Sequence, residues 1–172
     1  MQSLRRPGLL VGLAYVAFIS LGLPEGLTGV AWPSIRATFD LPLGALGALI
    51  STITIGYLIA SFSAARLMQR LGVGWLLTLS SLITALSLLA YGILPSWALM
   101  VGFGVLVGVG AGAIDVGLNT YAAAHFSPRT MNWLHAAFGL GATIGPLVMS
   151  AVISSGGSWR LGFLLVGGVS AP

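Results

Sequence analysis

Apolar residues in this chain neither alternate as in a strand nor recur on one face as in a soluble helix. They run on for twenty or more positions, with short polar interruptions between the runs. A helix needs ~20 apolar residues to cross the hydrocarbon core of a bilayer. Runs of that length are read at residues 8–35, 43–65, 72–94, 98–124 and 131–154, and a sixth begins at 159. Between the first two, Arg36 to Asp40 and Pro42 make a loop, with Pro42 opening the next helix. Pro95 and Ser96 make a very tight turn, with Trp97 placed as an interfacial anchor. The pattern predicts an all-α, polytopic transmembrane helix bundle. The sixth run spans only residues 159–172 and is expected to be an incomplete helix, with more protein following.

Composition leads to the same class. Only 6% of the 172 residues are charged and 57% are hydrophobic, against roughly 25% charged in an ordinary soluble domain. Seven Arg, three acids and no Lys cannot cover a water-exposed surface. A soluble enzyme, a disordered tail and, with no cysteine, a disulfide scaffold are all excluded. No metal cluster, phosphate loop or catalytic triad stands out, so neither a cofactor, a metal nor an enzyme activity is expected. The net charge of +4 does not signal nucleic-acid binding, because the arginines do not cluster on one soluble face. Arg5, Arg6, Arg66, Arg70 and Arg129 flank alternate ends of the runs, while Arg36 and Arg160 flank the others. That asymmetry places the N-terminus and the Arg66–Arg70 loop in the cytoplasm, in a membrane of the bacterial inner type. The basic start also resembles a signal peptide, but the run continues too far and Glu25 interrupts it.

Chemistry concentrates where polar groups interrupt the spans. Two of the three acids, Glu25 and Asp115, fall inside runs. Burying an ionised acid at mid-membrane costs about 2.5–3.5 kcal/mol on insertion scales. Such acids mark proton or substrate sites facing a water-filled cavity, or structural acids with a local partner. Gly108, Gly112, Asp115 and Asn119 share one stripe of the fourth helix. In the first helix Tyr15, Phe18, Gly22, Glu25, Gly29 and Trp32 do the same. Pro24 and Gly26 bracket Glu25, so the helix should be interrupted there, as in transporter binding sites. Asn132, His135, Gly139 and Pro146 line one face of the fifth helix, and His135 is a candidate partner for Asp115 or a ligand. Thr54, Tyr57 and Ser61 offer hydroxyls on one face of the second. Glu25 and Asp115 each lie 17 residues past the start of their runs, at residues 8 and 98, in helices of opposite direction. That is the relation inverted three-helix repeats would produce.

Asp115 followed four residues on by Asn119, with Gly108, Gly110 and Gly112 before it, resembles the fourth helix of the fucose-permease-like branch of the major facilitator superfamily. Glu25 is similar to that branch's first-helix acid, and Asn132 and His135 loosely match polar positions of its fifth helix. The resemblance covers the chain, read over residues 1–172 as one N-terminal transmembrane half. It implies twelve helices in two halves, a C-terminal half as partner, alternating access, and proton-coupled uptake of a small polar solute such as a sugar. Asp115, Glu25, Asn119, His135, Asn132 and Tyr57 are the candidate coupling or binding residues, and Arg66 and Arg70 the candidate cytoplasmic-loop residues. The superfamily's acidic loop motif is absent: Gln69, Arg70 and Gly72 lack its acid and its trailing bases. Gly141, Gly145 and Pro146 resemble part of an antiporter motif, which keeps export of an amphipathic compound as an alternative. A non-transporting membrane scaffold, for which glycine-rich packing faces suffice, is the third reading.

Overall fold

The computed structural model describes residues 7–170; Arg5, Arg6 and the last two residues lie outside the described residues. Every long element is helical: α1 (Pro7–Gly22), α2 (Leu27–Phe39), α3 (Leu46–Ile93), α4 (Trp97–His125), α5 (Pro128–Ser154) and α6 (Trp159–Val169). Local chemistry sets the ends. Ser96, Ser127 and Ser158 cap α4, α5 and α6 by accepting hydrogen bonds from Leu99, Thr130 and Arg160 N–H groups. Asp40 adopts a left-handed conformation that closes α2, and Leu41 N–H then reaches back to the Arg36 carbonyl. Four helical stretches are long and apolar enough to span a bilayer: Ala14–Phe39, Leu43–Ile93, Trp97–His125 and Pro128–Ser154.

The first of these stretches is broken. α1 stops at Gly22 and α2 resumes at Leu27, with Gly26 at φ 75°. Pro24 has no N–H to continue the ladder, and Gly26 takes a backbone conformation that a side chain would resist. Glu25 is therefore carried on non-helical backbone, as the Pro-Glu-Gly triplet predicts.

α3 departs from expectation. Residues 66–71 were expected to form a loop between two helices, but helical geometry continues through Leu71. The only non-helical residue in the element is Gly72, at φ 76° and ψ 157°. A straight helix of 48 residues would be about 72 Å long, more than twice the hydrocarbon thickness. Its two limbs instead flank α4 in opposite senses. On one side Gly104, Gly108 and Gly112 meet Thr52, Ile53 and Tyr57 in parallel order. On the other, Gly110 meets Thr84 while Gly117 meets Leu76, an antiparallel order. The chain thus reverses at one residue. Arg66 and Arg70 sit on the last helical turns before the reversal, both exposed.

Gly72 gives a clean test. A Cβ there meets nothing within 4 Å, so Gly72→Ala adds no clash and only forces a side chain into backbone space reserved for glycine. The expected cost is about 1–3 kcal/mol, read as a lower thermal unfolding midpoint in detergent. Gly74→Ala, equally open but on ordinary helix, should leave the midpoint level or slightly raised.

α5 packs along α1 and α2 in parallel. A Cβ on Gly141 or Gly145 would collide with the Ile19 or Leu23 carbonyl, so the two backbones touch directly. At the opposite end of the bundle from Gly72, Arg160 ties three elements together. Its guanidinium donates to the Leu94 carbonyl at 2.8 Å and lies over the Trp159 ring at 4.7 Å and the Phe39 ring at 5.7 Å. Trp159 Nε1 donates to Thr38 Oγ1 at 2.9 Å. A cation on the last carbonyls of α3 satisfies acceptors that the helix itself leaves open. Arg36 and Arg160 thus occupy one end of the bundle, and Arg66 and Arg70 the other.

Candidate functional site

The glycines of α4 fix where its polar groups fall. A Cβ at Gly108 would run into the Ile53 carbonyl and the Tyr57 amide, and one at Gly112 would meet the Tyr57 backbone. With no side chain between the two backbones, the first limb of α3 and α4 lie in direct contact, and Asp115 comes level with Tyr57. Tyr57 Oη donates to Asp115 Oδ2 at 2.6 Å. Asn119, one turn on, donates from Nδ2 to Asp115 Oδ1 at 2.8 Å and to the Asp115 carbonyl at 2.9 Å. Both carboxylate oxygens are therefore engaged, each by a neutral donor. The group is half-buried in an apolar span.

Glu25 approaches the same region from the break between α1 and α2, within electrostatic reach of both Asp115 and Tyr57. It lines a cavity of about 680 Å³ together with Ser20, Thr28, Ile53, Ser81 and Ile114, among other residues. The cavity is bounded by α1, α2, both limbs of α3, α4 and the end of α6. Its wall is mostly apolar, with hydroxyls at intervals and, among the described residues, Glu25 as its only charged one.

Four of the residues singled out from sequence, Asp115, Asn119, Tyr57 and Glu25, are thus brought to one region. His135 and Asn132 are not part of it. His135 is exposed on α5 and packs edge-on against Phe18, ring centroids 5.7 Å apart; Asn132 is exposed one turn earlier. The cavity wall formed by the second limb of α3 was not anticipated. Leu77, Ser81, Thr84, Leu88 and Tyr91 recur there at steps of four and three. That stripe was a signal available in the sequence, but it is masked because apolar residues and hydroxyls such as Thr78, Ser80 and Ser87 also occupy the other faces of the limb.

Chemically, the Asp115 cluster can hold a carboxyl in either protonation state. Tyr57 is both donor and acceptor, and the Asn119 amide carries both a donor and an acceptor group.

Residues 14–172 match the family model described as Major Facilitator Superfamily. No curated protein matches the chain. The match takes in all but the first thirteen residues, and the chain belongs to the Major Facilitator Superfamily. It is accordingly an integral membrane protein of the secondary-transporter class, whose members carry small solutes, and its family points to transport rather than catalysis.

Proposed function

We propose that this superfamily member is a proton-coupled transporter that takes up a small polar solute, such as a sugar, with Asp115 as its principal coupling acid. One observation carries the reading: an acid in the middle of an apolar span, held on both oxygens by Tyr57 and Asn119 rather than by a cation. A structural acid at that depth would be expected to have an arginine partner. An acid that must be neutral in one state and charged in another is better served by partners that can reverse their roles. Glu25, on interrupted backbone beside the cavity, is the second acid of the cycle, and Asn132 and His135 are candidates for solute contact from α5. The pairing of Asp115 with Asn119 supports placement near the fucose-permease-like branch. A second six-helix half completes the transport path, with residues 1–172 as the first.

The mostly apolar cavity wall around Glu25 favours one competing reading, proton-driven export of an amphipathic compound. Direction-resolved flux separates the two. Acid outside should drive accumulation of the labelled sugar in right-side-out vesicles. Sugar that stays at equilibrium while an amphipathic dye is expelled would establish export instead.

Orientation has its own test. The chain contains no cysteine, so Met68→Cys, on the helical turn before Gly72, provides a unique thiol. It should react with a membrane-impermeant maleimide only from the cytoplasmic side. Labelling from outside alone would invert the topology, and with it the assignment of Arg66 and Arg70 to the cytoplasmic end.

A further inference from the structure

Several hydroxyl side chains in these helices bond back to their own backbone, and Ser61 and Thr84 are buried exceptions. Ser51, Thr54, Thr78, Ser87 and Thr143 each donate to the carbonyl one turn back, at 2.7 to 3.0 Å. In a medium without water this is the default way to satisfy a hydroxyl. Ser61 does not do so. Its Oγ is buried and has no hydrogen-bond partner among the described residues. It abuts Gly112, and it lies beside the Tyr57 side chain, one helical turn earlier. A buried hydroxyl left open next to the tyrosine that holds Asp115 calls for a reason.

Tyr57 supplies one. While Asp115 is ionised, Tyr57 Oη donates to Oδ2. When a proton arrives on Oδ2, that oxygen becomes the donor, and Tyr57 Oη must accept from it. The Tyr57 hydroxyl hydrogen then needs another acceptor, because a buried donor without a partner costs about 1–3 kcal/mol. Ser61 Oγ, one turn on and without a hydrogen-bond partner of its own, is open to accept it.

We propose that Ser61 is a positioning residue for Asp115, acting through Tyr57. Loading a proton on Asp115 reverses the Asp115–Tyr57 hydrogen bond and turns the Tyr57 hydroxyl onto Ser61. No bond to Tyr57 oxygen breaks in this step: one O–H bond forms at Asp115 Oδ2, and the tyrosine hydroxyl rotates. When the proton leaves, the hydroxyl swings back. The other ionisable group facing the cluster is Glu25, from the break between α1 and α2; from α5, His135 is turned onto Phe18. The inference rests on Asp115 being the coupling acid, and its test separates the two claims.

The measurement is infrared difference spectroscopy of the intact protein in lipid, with no solute present, between acidic and alkaline pH. The carboxyl band of protonated Asp115 is identified by its loss in Asp115→Asn. In Ser61→Ala that band should persist but move to higher frequency, because the chain accepting its hydrogen bond is one member shorter. Ser61→Thr, which restores the hydroxyl, should return it to the wild-type position. Tyr57→Phe should move the band at least as far as Ser61→Ala. A band that Ser61→Ala leaves unmoved would overturn the role of Ser61 while leaving Asp115 as the coupling acid. Absence of any band assignable to Asp115 would remove the coupling assignment itself, and the inference with it.

Discussion

Asp115→Asn is expected to abolish uphill accumulation of solute while leaving solute exchange across the membrane largely intact. The amide has the shape of the carboxyl and retains an oxygen to accept from Tyr57 or Asn119, so the α3–α4 contact should hold. It cannot take up and release a proton. A pH difference of one unit is worth about 1.4 kcal/mol per proton, enough for roughly tenfold accumulation of a neutral solute at one proton per solute. The wild type should approach that ratio, and Asp115→Asn should stop at plain equilibration. Counterflow, which exchanges labelled for unlabelled solute without net proton movement, should persist within a few-fold. Accumulation unchanged by the substitution between pH 5.5 and 8 would make Asp115 a structural acid. Loss of counterflow as well would place it in direct contact with the solute.

The second large effect is on folding. Gly108→Leu should prevent stable assembly of the bundle, because its first added carbon already collides with the Ile53 carbonyl and crowds the Tyr57 amide. Backbone cannot rotate aside as a flexible side chain would. Overpacking in a well-packed core typically costs about 1–3 kcal/mol, and a leucine wedged between two backbones should exceed the top of that range. The expected readout is loss of monodisperse protein on size exclusion in mild detergent. Gly102→Leu, on the same helix with nothing within 4 Å of its Cβ, should behave as wild type. If both variants purify equally well, the close α3–α4 approach that holds Tyr57 against Asp115 does not exist.

The features legible in the sequence were those that one segment determines alone. Runs of apolar residues at membrane length identified the class. Pro24 and Gly26 announced the break at Glu25, since proline lacks the N–H that the ladder needs and glycine accepts a positive φ. The four-residue step from Asp115 to Asn119 put both on one face, and their hydrogen bond follows from that spacing.

What stayed hidden depends on partners distant in the chain. Tyr57 and Asp115 are 58 positions apart, and only the glycine contacts of α4 bring them level. The reversal at Gly72 was misplaced for a different reason. Arg66 and Arg70 look like loop residues because they are charged, yet at the end of a helix they reach solvent without leaving helical geometry. His135 was a reasonable partner for Asp115 by helix face and chemistry. Its place beside Phe18 is set by the packing of α5 on α1, which no periodicity reveals.

The central claim is that solute and proton move together and that Asp115 carries the proton. The most direct measurement follows both species at once, with labelled solute and a trapped pH indicator in proteoliposomes of the intact protein and no imposed gradient. Addition of solute outside should acidify the lumen in fixed proportion to the solute taken up. In Asp115→Asn that acidification should vanish while solute still equilibrates. Solute entry without lumenal acidification in the wild type would contradict the account, whatever the effect of the substitution.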